Sequence, residues 1–151
     1  MKVVVQMNVS KEVFYNFLLE NLRNEFNIKG KVTPGFKFEK VLSTKFNQGV
    51  NTQGEVVKLV ENEDYLIKFT SPMGVNTVEY KIRELEEKKI EVTYIEKYVG
   101  DSWLKNYNHM LIEFTFLYFL KRRKKTMFRM VEEYLKNREK EKQKKQEEKN
   151  D

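Results

Sequence analysis

Chemistry in this chain would have to come from very few residues. His109 is the one histidine and there is no cysteine, which excludes paired-histidine mechanisms, histidine-rich or thiolate metal sites and disulfides. A serine–histidine–acid triad would require His109 to meet Ser10, Ser43, Ser71 or Ser102, and none of these stands in a nucleophile-elbow pattern. His109 therefore reads as an ordinary helix-face residue. No phosphate-cradling or dinucleotide glycine pattern is present, and Gly49-Val50-Asn51-Thr52-Gln53-Gly54 reads as a hairpin loop. Glu113 has the most unusual setting for an acid, inside the apolar run Met110–Leu120. In an apolar cavity its pKa would rise and it could exchange a proton with a substrate. At ~100° per residue it lies about 90° from the line through Trp103, Tyr107 and Phe114, which turns it toward solvent or a lysine. The chain reads as non-enzymatic, with no catalytic residue, no metal and no cofactor.

The aromatic residues offer binding instead. Tyr65, Phe69, Tyr80 and Tyr94, with Trp103, Tyr107, Met110, Phe114 and Tyr118, could line a pocket for a small apolar or amphipathic ligand. Stripes at these spacings also fill solid cores, and that reading stands beside the first. Buried tyrosine hydroxyls need partners, which suits a ligand with a polar end.

The elements that would position these residues follow from periodicity. Val3, Val5 and Met7 alternate as a strand. Ser10 caps a helix with Glu12 in its first turn and Phe14, Leu18, Leu22 and Phe26 at i+4 spacing, ending near Asn27 to Gly30. Thr33-Pro34-Gly35 is a turn. From Phe36 to Tyr98 the pattern is five strands, as in Tyr65-Ile67-Phe69, Val78-Tyr80-Ile82 and Ile90-Val92-Tyr94. They are broken at Asn47–Gly49, Glu61–Asp64, Ser71–Gly74 and Glu86–Lys89. Short connections favour an antiparallel meander. All six glycines and both prolines fall between Gly30 and Gly100, so the remainder reads as one long helix capped by Asp101 or Ser102. The fold class is α+β: a curved antiparallel sheet of about six strands, ordered strand, helix, five strands, helix.

That long helix carries two apolar lines. One runs through Trp103, Tyr107, Met110, Phe114, Leu117 and Tyr118. The other runs along the opposite side through Ile112, Phe116, Phe119, Met127, Met130 and Tyr134, interrupted by Arg123. One sheet cannot bury both. Lys121-Arg122-Arg123-Lys124-Lys125 circles the whole helix with charge, so the helix is expected to run past the sheet edge there. Met127–Leu135 would then need a partner, and a twin chain is favoured. The expected limits are one domain over 1–138 and a frayed polar tail over 139–151.

At this point the chain resembles the helix-grip superfamily, which includes START lipid-transfer domains, birch-pollen-allergen-like proteins and polyketide cyclases. The resemblance covers residues 1 to about 120 and rests on VVVQMNVSKEVFYNFL, the all-strand middle and the single C-terminal helix. NIKGKV…GFKFEKV and VEYKIRELEEKKIEVTYIE are similar to a bacterial helix-grip family found mainly in Firmicutes that has no assigned activity. The resemblance implies a sheet gripping the C-terminal helix, often over an apolar cavity, and assigns no catalytic residue. A cyclase- or dehydratase-like enzyme is the remaining catalytic alternative.

Charge bears on partners. Residues 121–151 hold thirteen basic and seven acidic side chains, so the whole net charge of +6 sits there and the body is neutral. The apolar and basic helix has the composition of an anionic-membrane surface binder, but its apolar residues encircle it. Nucleic acid is disfavoured, because Glu132, Glu133, Glu139 and Glu141 interleave with the lysines. No stretch approaches the ~20 apolar residues of a membrane span, and a cytoplasmic location is expected.

Overall fold

Alternating apolar residues over the middle of the chain fold as five consecutive strands, and the first strand joins them from the far side of a helix. The elements are β1 (Lys2–Met7), α1 (Lys11–Phe26), β2 (Lys37–Ser43), β3 (Gly49–Val60), β4 (Asp64–Ser71), β5 (Gly74–Glu86), β6 (Lys89–Gly100) and α2 (Met110–Asn150). The computed structural model describes residues 1–43, 49–72, 74–100 and 110–150, and their side chains except at 40, 42, 43, 49, 50, 110–119 and 150.

The six strands form one antiparallel sheet in the order β1-β6-β5-β4-β3-β2. The register shifts between Val56 and Lys58 and between Glu84 and Glu86. An extra residue on one strand bends it and increases its twist, which curves the sheet toward the helices. The segment 49–54, expected as a hairpin loop, is instead the first half of β3, paired with β2 from Lys37↔Glu55 to Ser43↔Gly49. Its glycines imitate a turn, but Gly54 is needed in the strand: a Cβ there would lie 2.0 Å from the ring of Phe38 opposite.

Helix α1 begins where Ser10 Oγ accepts the Val13 amide at 3.3 Å and ends where Asn27 turns left-handed at φ 52°. It buries Phe14, Tyr15, Leu18 and Leu22 against the sheet. Pro34 and Gly35 make the following turn: Phe36 N–H donates to the Thr33 carbonyl, and Gly35 supplies the positive φ of 86° that a type II turn requires.

Helix α2 departs from expectation at the basic block. It does not leave the domain there. Phe128 and Leu135 are 2% and 1% exposed, Val131 packs beside them, and Arg138 forms a bidentate pair with Glu20 on α1 at 2.6 and 3.2 Å. Charge circles the helix as the sequence says, but the inward member of the block, Lys124, is half-buried and bonded to Tyr94. Lys124, Phe128, Val131, Leu135 and Arg138 follow one another at steps of four, three, four and three, one continuous face. The segment expected beyond the sheet thus closes the core. The helix is continuous to Asn150, through the polar stretch expected to fray.

Candidate functional site

The face of the sheet that carries both helices is divided into a filled half and an open half. In the filled half Tyr65, Tyr80 and Tyr94 stand side by side on β4, β5 and β6, with ring centroids 5.8 and 5.1 Å apart in edge contact. Phe128 from α2 lies 6.3 Å from Tyr80 and 6.2 Å from Tyr94, and Phe14 from α1 meets both Tyr80 and Phe128. Burial pushes the Tyr80 hydroxyl up to about 12 and moves Tyr65 higher still. These rings are core.

The open half is a groove of about 320 Å³ beside the C-terminal end of α1. Phe26, Phe69 and Tyr98 supply aromatic walls, and Glu25, Thr52, Ser71 and Asn76 supply polar groups. Strand alternation explains the set. Phe69 continues the inward series of Tyr65 and Ile67, Asn76 that of Val78 and Tyr80, and Tyr98 that of Val92 and Tyr94; Phe69↔Asn76↔Tyr98 are direct cross-strand neighbours. Phe26 packs on Phe38 at 4.2 Å and on Phe69 at 6.0 Å, which fixes the wall nearest α1.

Between the two halves lies a polar network. Tyr94 Oη donates to Glu96 Oε2 at 2.7 Å and accepts from Lys124 Nζ at 2.9 Å. Asn76 Nδ2 donates to Glu96 Oε1 at 3.3 Å. The Lys124 ammonium stands 4.6 Å over the Tyr94 ring and 3.8 Å from Glu96. Burial, followed by the bond to Glu96, holds the Tyr94 hydroxyl far above the usual tyrosine range, so it is a hydrogen-bond donor and not a base at neutral pH. Asn76 Oδ1 is buried with no partner among the described residues. The glutamate and lysine neutralise each other, and the arrangement offers aromatic surface and hydrogen bonds, the equipment of a binding site.

Of the residues expected to line a pocket, Phe69 is in the groove, while Tyr65, Tyr80 and Tyr94 are in the filled half. Trp103, Tyr107 and His109 lie outside the described residues. So do the side chains of Met110, Glu113, Phe114 and Tyr118, and those of Ile112, Phe116 and Phe119 on the second apolar line. Met127, Met130 and Tyr134 of that line are 36%, 66% and 53% exposed. Glu96, Asn76 and Tyr98 each continue an inward alternation, but sequence marks such an alternation only while its members stay apolar. Thr52 was hidden by the loop reading of 49–54. Among the described residues, no group of acidic or histidine side chains could hold a metal ion, and no helix is long and apolar enough to cross a membrane.

Comparison with known proteins follows the same architecture. Residues 1–117, most of the chain and all of its sheet, match the family described as Domain of unknown function (DUF3284). The chain belongs to the DUF3284 family. No curated protein matches this DUF3284 chain. Among solved structures it is similar to Ara h 8.0201, with a TM-score of 0.59 at 8% identity over 89% of this chain and 95% of that one. CV1439 from Chromobacterium violaceum gives 0.52 at 12% identity over 67% and 80%, and Mll3558 from Rhizobium loti gives 0.51 at 11% over 68% and 81%. At such identities the likeness is one of fold. The DUF3284 chain has the helix-grip fold.

Proposed function

We propose that this chain is a non-enzymatic helix-grip protein that holds a small amphipathic ligand, one with an aromatic or alicyclic body and a hydroxyl, in the groove beside α1. The groove carries the reading: about 320 Å³ of space between the rings of Phe26, Phe69 and Tyr98, with Thr52, Ser71 and Asn76 beneath. Sites for small ligands begin near ~300 Å³ and combine apolar walls with a few polar groups. The spare acceptor on Asn76 adds support, since an unsatisfied buried oxygen costs about 1–3 kcal/mol and a ligand hydroxyl reaching it would remove that cost. Such a protein would act in the cytoplasm of a Firmicutes-type bacterium.

The test is binding of 2-naphthol, followed by its own fluorescence, against naphthalene as the partner without a hydroxyl. Saturable one-to-one binding of 2-naphthol is expected, weakened about tenfold by Asn76→Ala, and weakened for both compounds by Tyr98→Ala. Equal binding by wild type and both variants, or no saturable binding, would sink the reading.

Self-association is a second part of the proposal. Met127, Met130 and Tyr134 form a line on α2 that the domain covers only in part, Tyr134 resting 6.1 Å from the Phe17 ring of α1. The helix is 41 residues long, roughly 60 Å at ~1.5 Å per residue, well beyond what β1 and α1 can cover. A line repeating at three and four residues fits the same line on a twin helix.

A further inference from the structure

Strand β1 is an edge: it pairs with β6, and among the described residues no strand pairs with its other side. Met1 exchanges backbone bonds with Glu96. In an antiparallel pair the bonded residues alternate, so Val3, Val5 and Met7 bond to β6. The amides and carbonyls of Lys2, Val4 and Gln6 therefore point away from the sheet. Val4 is 43% exposed. An uncovered edge of this kind is a template for another strand.

Helix α2 runs along this edge in the same direction as the strand. Lys121, Arg122 and Lys125 flank Lys2 to Val4 across a cleft of about 500 Å³. Lys125 and Arg129 flank Val4 to Met7 across a second of about 210 Å³. Glu132 closes the far end by accepting from the backbone and side-chain amides of Asn8 at 3.1 and 2.9 Å. Lys2, Lys121, Arg122, Lys125 and Arg129 are exposed, and none of them makes an ion pair with another described residue.

We propose that the edge of β1 receives an added strand from an acidic partner peptide, whose alternate carboxylates pair with Lys121, Lys125 and Arg129. The spacing favours it. Four residues of helix advance about 6 Å, and two residues of strand advance about 6.6 Å, so every second side chain of an added strand meets the next cation. Those side chains oppose Val3, Val5 and Met7 and share the face on which α2 lies. The backbone supplies affinity and the charge supplies register. A second copy of β1 is disfavoured as the occupant, because it would bring the cations of its own α2 against the same row.

The probe is a six-residue peptide alternating glutamate with valine, labelled for fluorescence anisotropy and added to the full chain at low ionic strength. Two controls share its composition: one with its glutamates gathered at one end, the other N-methylated on alternate amides. The alternating peptide is expected to bind, and both controls to bind about tenfold or more weakly. The exposed-site variant Lys125→Glu/Arg129→Glu, checked for unchanged circular dichroism, is expected to lose about tenfold or more. Equal binding of the three peptides would reduce the site to a charged surface and overturn the proposal. Failure of all three would also overturn it, as would phosphatidylserine vesicles binding through Lys125 and Arg129 when no peptide does.

Discussion

Gly54 and Phe38 show how far a single missing side chain can reach. The two residues are opposite each other on β3 and β2, and the Phe38 ring lies across the space where a Cβ would stand. That position lets Phe38 pack at a tilt against Phe26 and reach Phe69, and so shapes the inner wall of the groove. Gly54→Ala is expected to cost about 1–3 kcal/mol by forcing the ring out of place, read as a lower denaturant midpoint. Phe38→Leu in the same chain should recover part of that loss. Additive effects of the two substitutions in a double-mutant cycle would show that the residues do not compete for space. At this scale the sequence was legible in its inward alternations and misleading at its polar members. Glu96 and Asn76 face inward because their strands do, and no local propensity marks them.

Helix α2 depends on one face whose chemistry changes along its length. Lys124 keeps the phase of Phe128 and Leu135 by setting its ammonium over the Tyr94 ring, bonded to the tyrosine oxygen and beside Glu96. A long cation can cover apolar surface while its head finds partners, so five successive charges need not lift a helix from its domain. The existence of the helix was legible from the absence of glycine and proline. Where it docks was not, because docking depends on Tyr94 and Glu20, which are distant in sequence. Phe128→Ala is expected to destabilise the domain by about 3–5 kcal/mol, the range for a large ring removed from a packed core. Met130→Asp, on the exposed line, should leave that stability nearly unchanged and shift sedimentation from dimer to monomer. A monomeric wild type at the same concentration would remove the twin-chain proposal, and a large stability loss in Met130→Asp would show that the line is already buried.

Across the whole molecule, burial of tyrosines couples stability to pH. Tyr65, Tyr80 and Tyr94 keep their protons in the folded state to higher pH than in the unfolded chain, chiefly because burial disfavours the charged phenolate. In the unfolded chain they ionise near ~10. Above that pH the unfolded state binds fewer protons than the folded one, so unfolding becomes easier as pH rises. Stability from these groups should be complete below pH ~10 and fall beyond it, for Tyr80 up to about 12. Denaturant midpoints measured with tyrosinate absorbance are expected to fall together with a late, cooperative ionisation. Smooth titration of every tyrosine near its ordinary pKa in the folded protein would contradict this. The order of elements has a further consequence, for synthesis. β1 is made well before its partner residues in β6, which run from Ile90 to Ile95, and α2 follows both. On the ribosome Val3, Val5 and Met7 must wait until β6 emerges, and the core stays open until Phe128 and Leu135 do. Folding is therefore withheld until α2 has been made, and until then the nascent chain presents an unpaired strand to chaperones or to other chains.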